Sequence, residues 1–188
     1  MRQEVRLSGS GGQGLLLIGG TLAEALGVIE GKNVVQSNSY GGQVRGGSSR
    51  SDVLIAPPGE EIDYPEVMDA DILLAMTQEA LDEYKAIVKP KGLVVLDTTN
   101  VKQIPEMKSE IVSYPFTLKT KERLGTELPT NMVVLAVIVA LSKLISRDSL
   151  SKAIEAVSPK GRAEMNLKAM NFGFELADTG ALQKKAAN

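Results

Sequence analysis

Hydrophobic positions along the chain come in two rhythms. Short apolar runs at 5–8, 33–36, 52–56, 72–76, 93–96 and 110–116 are bounded by Gly, Pro, Asn or Asp, the form taken by strands buried on both faces. Pro115 within the last run marks an edge or an end of the sheet. Between and beyond these runs apolar residues recur at helical spacing. Leu15, Leu16, Ile18, Leu22 and Leu26 predict a helix over Gln13–Val28, ended by Gly31. Thr77 is placed to cap a second helix reaching about Val88, and Thr130 to cap an all-round apolar helix over Asn131–Ile145. Asp148 or Ser149 opens a further helix to about Val157, and Ala163–Ala177 forms the last. Lys119–Pro129, charged around Gly125, reads as a loop, and 178–188 as a flexible tail. Strands alternating with helices at this pace predict one domain over 1–188. Its fold class is α/β, a three-layer α/β/α arrangement on a mainly parallel, mixed sheet with a Rossmann-like N-terminal half.

The first strand ends in Ser8-Gly9-Ser10-Gly11-Gly12-Gln13-Gly14, and the first helix starts there. Gly9, Gly11 and Gly14 have the G-x-G-x-x-G spacing in its strand-turn-helix context, where backbone N–H groups at a helix start can face an anion. The same spacing also suits a tight packing turn. Gly19 and Gly20 inside the helix cost propensity and point to close helix-sheet approach. A dinucleotide domain should carry Asp or Glu after its second strand to hold the ribose, but Val34 to Ser39 contains no acid. Glu30 stands near the right distance, at the helix end.

The stretch 37–50 reads as a long polar connection, with Ser39, Tyr40, Gly41, Arg45, Gly46, Gly47 and Arg50 and no acidic residue. A connection of that length is either solvated or ordered against a ligand or partner, the arginines then meeting anionic groups. The acidic run Glu60 to Asp71 lacks Ca²⁺-loop spacing and reads as a surface link.

Composition narrows the chemistry. The chain has 188 residues, a net charge of −2, and no His or Cys. Disulfides, thiolate-held clusters, a His base and a Cys nucleophile are thereby excluded, and no metal or catalytic residue is assigned. The near-neutral charge gives no pull toward nucleic acid or anionic membrane. The longest apolar run, Met132–Leu141, is too short for a membrane span, so a cytoplasmic location is expected.

Several motifs together carry a resemblance. Ser8-Gly-Ser-Gly-Gly-Gln-Gly14, Gly31-Lys-Asn-Val-Val-Gln36 and Ser39-Tyr-Gly-x-x-Arg-Gly-Gly47 resemble the gamma subunit of 2-oxoacid:ferredoxin (acceptor) oxidoreductases. So do Glu61-Ile-Asp-Tyr-Pro65, Asn131-Met132, and Asn166-Leu-Lys-Ala169 with Gly173. The Ser-Tyr-Gly…Arg-Gly-Gly form is most similar to the 2-oxoglutarate branch, with Gly42-Gln43 where that branch usually has Pro-Glu.

The resemblance implies a multi-subunit enzyme that oxidatively decarboxylates a 2-oxoacid to acyl-CoA and CO2. Thiamine diphosphate, Mg²⁺ and iron-sulfur clusters are expected on alpha, beta and ferredoxin-like delta subunits, with ferredoxin or another acceptor downstream and coenzyme A as co-substrate. This chain alone would hold no cofactor and have no activity. It would shape the coenzyme A approach through two glycine-rich segments, Gly9, Ser10, Gly11, Gly12, Gln13 and Gly14, and Ser39, Tyr40, Gly41, Arg45, Gly46 and Gly47, by ligand or subunit contact. Isolated, it could dimerise. The alternative reading is a stand-alone Rossmann-type nucleotide-binding protein.

Overall fold

A computed structural model describes residues 2–41 and 47–186. Seven strands form one sheet in the order β2-β3-β1-β4-β5-β6-β7: β1 Gln3–Ser10, β2 Asn33–Tyr40, β3 Ser48–Ala56, β4 Ala70–Ala75, β5 Val88–Asp97, β6 Glu110–Tyr114 and β7 Gln183–Lys185. Strands β1, β4, β5 and β6 are parallel. β3 runs antiparallel to both β1 and β2, and β7 antiparallel to β6. The sheet is thus mixed around a parallel centre, as the strand-helix alternation predicts.

The helices are α1 Leu15–Glu24, α2 Gln78–Tyr84, α3 Phe116–Leu124, α4 Thr130–Ser142, α5 Arg147–Val157 and α6 Ala163–Asp178. The alternation of side chains divides them unequally. Val5, Leu7, Leu74, Val95 and Val112 point to one face and pack with α1, α4, α5 and α6 in the main core. Leu73, Ala75, Val94 and Leu96 point to the other face, against Ala80, Leu81 and Tyr84 of α2 and Val101. Helix α4 is apolar all round because it is enclosed, with every residue from Thr130 to Val139 buried. Helix α1 lies close on the sheet. A Cβ on Gly19 would stand 2.7 Å from Ser51 Cβ, so the predicted close approach holds there, whereas Gly20 has ordinary space.

Beneath α2 the sheet carries a buried ion pair in place of apolar packing. Arg6 and Asp52 face each other across β1 and β3, with Nε–Oδ1 at 2.8 Å and Nη2–Oδ2 at 2.6 Å. Arg6 also donates to Val67 O (3.0 Å), Asp52 accepts from Val67 N (3.1 Å), and the guanidinium lies 4.6 Å from the Tyr84 ring centre. Glu4 accepts from Met68 N and Asp69 N. The acidic link is therefore a surface strap clamped to the sheet by its buried Val67.

Several sequence expectations about the elements need correction, among them the start of α5, which Ser146 caps. The supposed long connection 37–50 is largely the two arms of a hairpin. β2 extends to Tyr40 and β3 begins at Ser48, because the ladder between them supplies an order that the weak strand propensity of Ser and Asn hides. The supposed loop 119–129 contains most of α3, an amphipathic helix buried along Phe116 and Thr120 and closed by Gly125 at φ 77°. Thr130 begins α4 and does not cap it. Pro129 occupies the cap position, and Thr130 Oγ1 donates to Glu127 O at 2.6 Å. The C-terminal tail is not free, since 183–185 pair with β6 and Leu182 is buried.

Two substitutions check this account. Asp52→Ala leaves a buried guanidinium without its carboxylate and should cost about 3–5 kcal/mol in urea unfolding. Leu182→Ala should cost about 2–3 kcal/mol. A loss within experimental error at Leu182 would restore the frayed-tail reading.

Candidate functional site

The two glycine-rich segments meet at the carboxyl edge of β1. β2 runs parallel to β1 with β3 between them, so the β2–β3 connection emerges at the same edge as the turn after β1. The contact is direct: Gly11 N donates to Gly47 O at 2.8 Å. Gly41 N donates to Ser48 O at 2.7 Å and closes the base of the hairpin. Arg45 and Gly46, with Gly42-Gln43, lie outside the described residues.

The turn itself is built by hydrogen bonds and by two left-handed glycines. Gln13 N donates to Ser10 O (3.2 Å), and Gln13 Oε1 accepts from Ser10 N (2.8 Å), so Gln13 folds back to fix the turn. Gly12 and Gly14 take φ of 94° and 74°. Gly11, the position at which the spacing suggests a positive φ, is not among the left-handed glycines. Gly9 and Gly14 are close-approach positions. A Cβ on Gly9 would stand 2.9 Å from Met76 Cβ, and one on Gly14 would run into the amide of Asn131. Asn131 Nδ2 donates to Gly14 O at 3.1 Å and ties the start of α4 to the start of α1. The turn packs closely, and the helix that follows starts without a side-chain cap or an acid in its first turn.

Cavities flank the turn on both sides. One, of 440 Å³, is lined by Gly9, Ser10, Gly41, Gly47, Thr77 and Tyr84, among others. Another, of 390 Å³, is lined by Gly12, Gln13, Thr99, Asn100, Thr117 and Asn131, among others. Both lie where ligands of open α/β sheets collect, beyond the carboxyl ends and next to the point between β1 and β4 from which the chain winds outward in both directions. Sequence reasoning missed Thr77, Thr99, Asn100 and Thr117 as part of this edge. The signal was available in polar residues directly following apolar strands. Buried Asp97 accepts from Thr99 N at 3.0 Å and from Thr117 N, and so shapes the second cavity's wall.

The electrostatics differ from the expectation for Arg50. Its guanidinium pairs with Glu66 and lies 5.9 Å from the Tyr84 ring, so it serves the strap. Hydrogen bonds from the Tyr64 hydroxyl and from Arg50 hold the Glu66 carboxyl below its ordinary range. Burial pushes the Tyr84 phenol up. Ser39 and Tyr40 end β2 on the open edge of the sheet, and Tyr40 is 68% exposed. Glu30 is not a ribose acid. It accepts from Ser146 N at 2.9 Å and pairs with Lys32, at the end of the helical stretch opposite the glycine turn.

The doubly wound α/β fold with its glycine turn at the switch point belongs to a known class of subunit, identified by its likeness to known proteins. Residues 4–176 match the pyruvate ferredoxin/flavodoxin oxidoreductase family, and the chain belongs to it. It is 40% identical over 179 residues to 2-oxoglutarate synthase subunit KorC of Methanocaldococcus jannaschii, covering 94% of this chain and 95% of that one. Its structure is similar to a keto/oxoacid ferredoxin oxidoreductase gamma subunit from Geobacter sulfurreducens, with a TM-score of 0.85, 38% identity, and coverage of 97% and 99% of the two chains. The same fold recurs within a 2-oxoglutarate:ferredoxin oxidoreductase from Magnetococcus marinus (TM-score 0.79, 24% identity, 98% of this chain and 32% of that one). No helix among the described residues is long and apolar enough to cross a membrane.

The turn geometry separates two substitutions. Gly14→Ala combines a left-handed backbone with a clash against Asn131, and should lower stability by about 2 kcal/mol or more. Gly11→Ala, at an exposed position without positive φ, should be neutral or stabilise by up to about 1 kcal/mol. Thermal unfolding of the two variants reads the contrast, and equal losses would contradict it.

Proposed function

We propose that this chain is the gamma subunit of a 2-oxoglutarate:ferredoxin oxidoreductase complex, supporting oxidative decarboxylation of the 2-oxoacid to acyl-CoA and CO2. The observation that carries this reading is the match to 2-oxoglutarate synthase KorC along nearly the whole of both chains. The stand-alone nucleotide-binding alternative is not favoured, since its ribose acid is missing and Glu30 is engaged elsewhere.

Within such a complex, thiamine diphosphate, Mg²⁺ and the clusters belong to the alpha, beta and ferredoxin-like delta subunits, with ferredoxin or another carrier as acceptor. A chain without Cys offers no thiolate for a cluster, which supports that division. This chain contributes the edge at which Gly9 to Gly14 meet Gly47, beside Ser39, Tyr40 and Gly41. The N–H groups at the start of α1, together with Arg45, favour the phosphates of coenzyme A as it approaches the catalytic subunits. A location in the cytoplasm, where ferredoxin-linked enzymes find their acceptors, follows from the same reading.

Copurification on a tagged chain from its native cells tests the function. The expected result is recovery of the partner subunits, with dye reduction that needs both 2-oxoacid and coenzyme A and favours 2-oxoglutarate over pyruvate. Recovery of the chain alone, or a preference for pyruvate, would contradict the reading. In the recovered complex, Arg45→Ala should raise the KM for coenzyme A by about tenfold or more, the worth of one charge-assisted hydrogen bond, and leave the KM for the 2-oxoacid unchanged. An unchanged coenzyme A KM would remove Arg45 from the site.

A further inference from the structure

The two edges of the sheet are not equally protected. β7 closes one edge with only three residues, of which Lys184 and Lys185 are exposed charges. Short, lysine-bearing edges are how sheets avoid pairing with other chains. β2, at the opposite edge, is eight residues long, pairs with β3 without a bulge, and contains no charged residue and no proline. By the same criteria it is competent to pair.

Its hydrogen-bonding pattern can be read off the ladder. Gly41 donates to Ser48 in the register that continues Tyr40 opposite Ser49. Antiparallel ladders alternate, so Asn33, Val35, Ser37 and Ser39 turn their backbone groups toward β3, and Val34, Gln36, Asn38 and Tyr40 turn theirs outward. None of these outward groups has a hydrogen-bond partner among the described residues. The strap does not cover them either. It reaches β2 through side chains turned to its own face, Asn33 Nδ2 donating to Glu60 O at 2.5 Å and Ser37 Oγ donating to Pro65 O.

We propose that β2 pairs with β2 of a second copy of this chain, antiparallel about a two-fold axis at Ser37. That register sets Val34 opposite Tyr40 and Gln36 opposite Asn38, and every outward N–H and C=O of the four residues finds a partner. It gives the exposed Tyr40 ring a β-branched neighbour, twice by symmetry, a favourable cross-strand pair. Self-complementarity argues for a second copy: the two-fold register sets a β-branched residue against an aromatic one at both ends, Gln against Asn between them, and no like charges opposite each other. The pairing consumes the open edge of both molecules and leaves only the lysine-guarded β7 edges outside, so assembly stops at two.

Sedimentation equilibrium of the full chain, with hydrogen exchange of the edge amides, tests this. The parent should be a dimer at micromolar concentration, with the amides of Val34, Gln36, Asn38 and Tyr40 protected. Asn38→Pro removes one outward N–H per copy and leaves the β3 ladder intact. It should raise the dissociation constant at least about tenfold, with an unchanged circular dichroism spectrum. Asn38→Lys keeps the backbone donor and serves if the proline variant fails to fold; it should weaken the dimer at low salt, with recovery at high salt. A monomeric parent, a dimer with freely exchanging edge amides, or variants that dimerise like the parent would overturn the proposal. Protection that appears only when the other subunits are present would assign the edge to a partner subunit's strand, and would overturn it too.

Discussion

The register of β3 against β1 is the constraint on which the rest of the molecule depends, and the Arg6–Asp52 pair fixes it. Side chains alternate faces along a strand, so a slip of one residue would turn Asp52 into the main core and leave Arg6 without its carboxylate. The pair is nearly inaccessible, with the side chains 4% and 2% exposed, and a broken buried pair costs far more than an exposed one. Hydrophobic packing alone specifies this register less sharply, because Val53 and Leu54 are both apolar and could exchange faces.

From that register follows the position of the site. β3 inserted antiparallel between β1 and β2 brings the hairpin end beside the glycine turn, where Gly11 and Gly47 join. The strap and α2 hold β3 from one side. Asn131 holds the turn from the other, tying it to α4, the most enclosed helix of the fold. The glycine turn that meets coenzyme A in the proposed role is therefore supported from both layers, and the backbone of 9–14 is held by contacts within the chain.

Much of this was legible in the sequence, for identifiable reasons. Buried parallel strands such as 72–76 and 93–96 announce themselves as continuous apolar runs, and α4 as an apolar run of helical length. The glycine turn was legible because its spacing and its neighbours agree. The edge strand β2 was only half legible, since Ser37, Asn38 and Ser39 have the composition of a loop and acquire order from a partner strand. Helix α3 was hidden because two turns of amphipathic helix with three lysines and arginines in nine residues look solvated. The roles of Arg6, Asp52 and Asn131 are long-range pairings that no local pattern encodes. Arg50 was legible as an anion-pairing residue, and the structure supplies its partner from within the chain, Glu66.

The central claim is that the joined glycine segments of this subunit form the coenzyme A approach of a 2-oxoacid oxidoreductase. Hydrogen-deuterium exchange of the assembled complex, with and without coenzyme A, addresses it most directly. The account predicts that coenzyme A slows exchange in 9–14 and 39–47 and leaves the amino ends of the parallel strands unchanged. Protection confined to the other subunits, or to a different part of this chain, would contradict it.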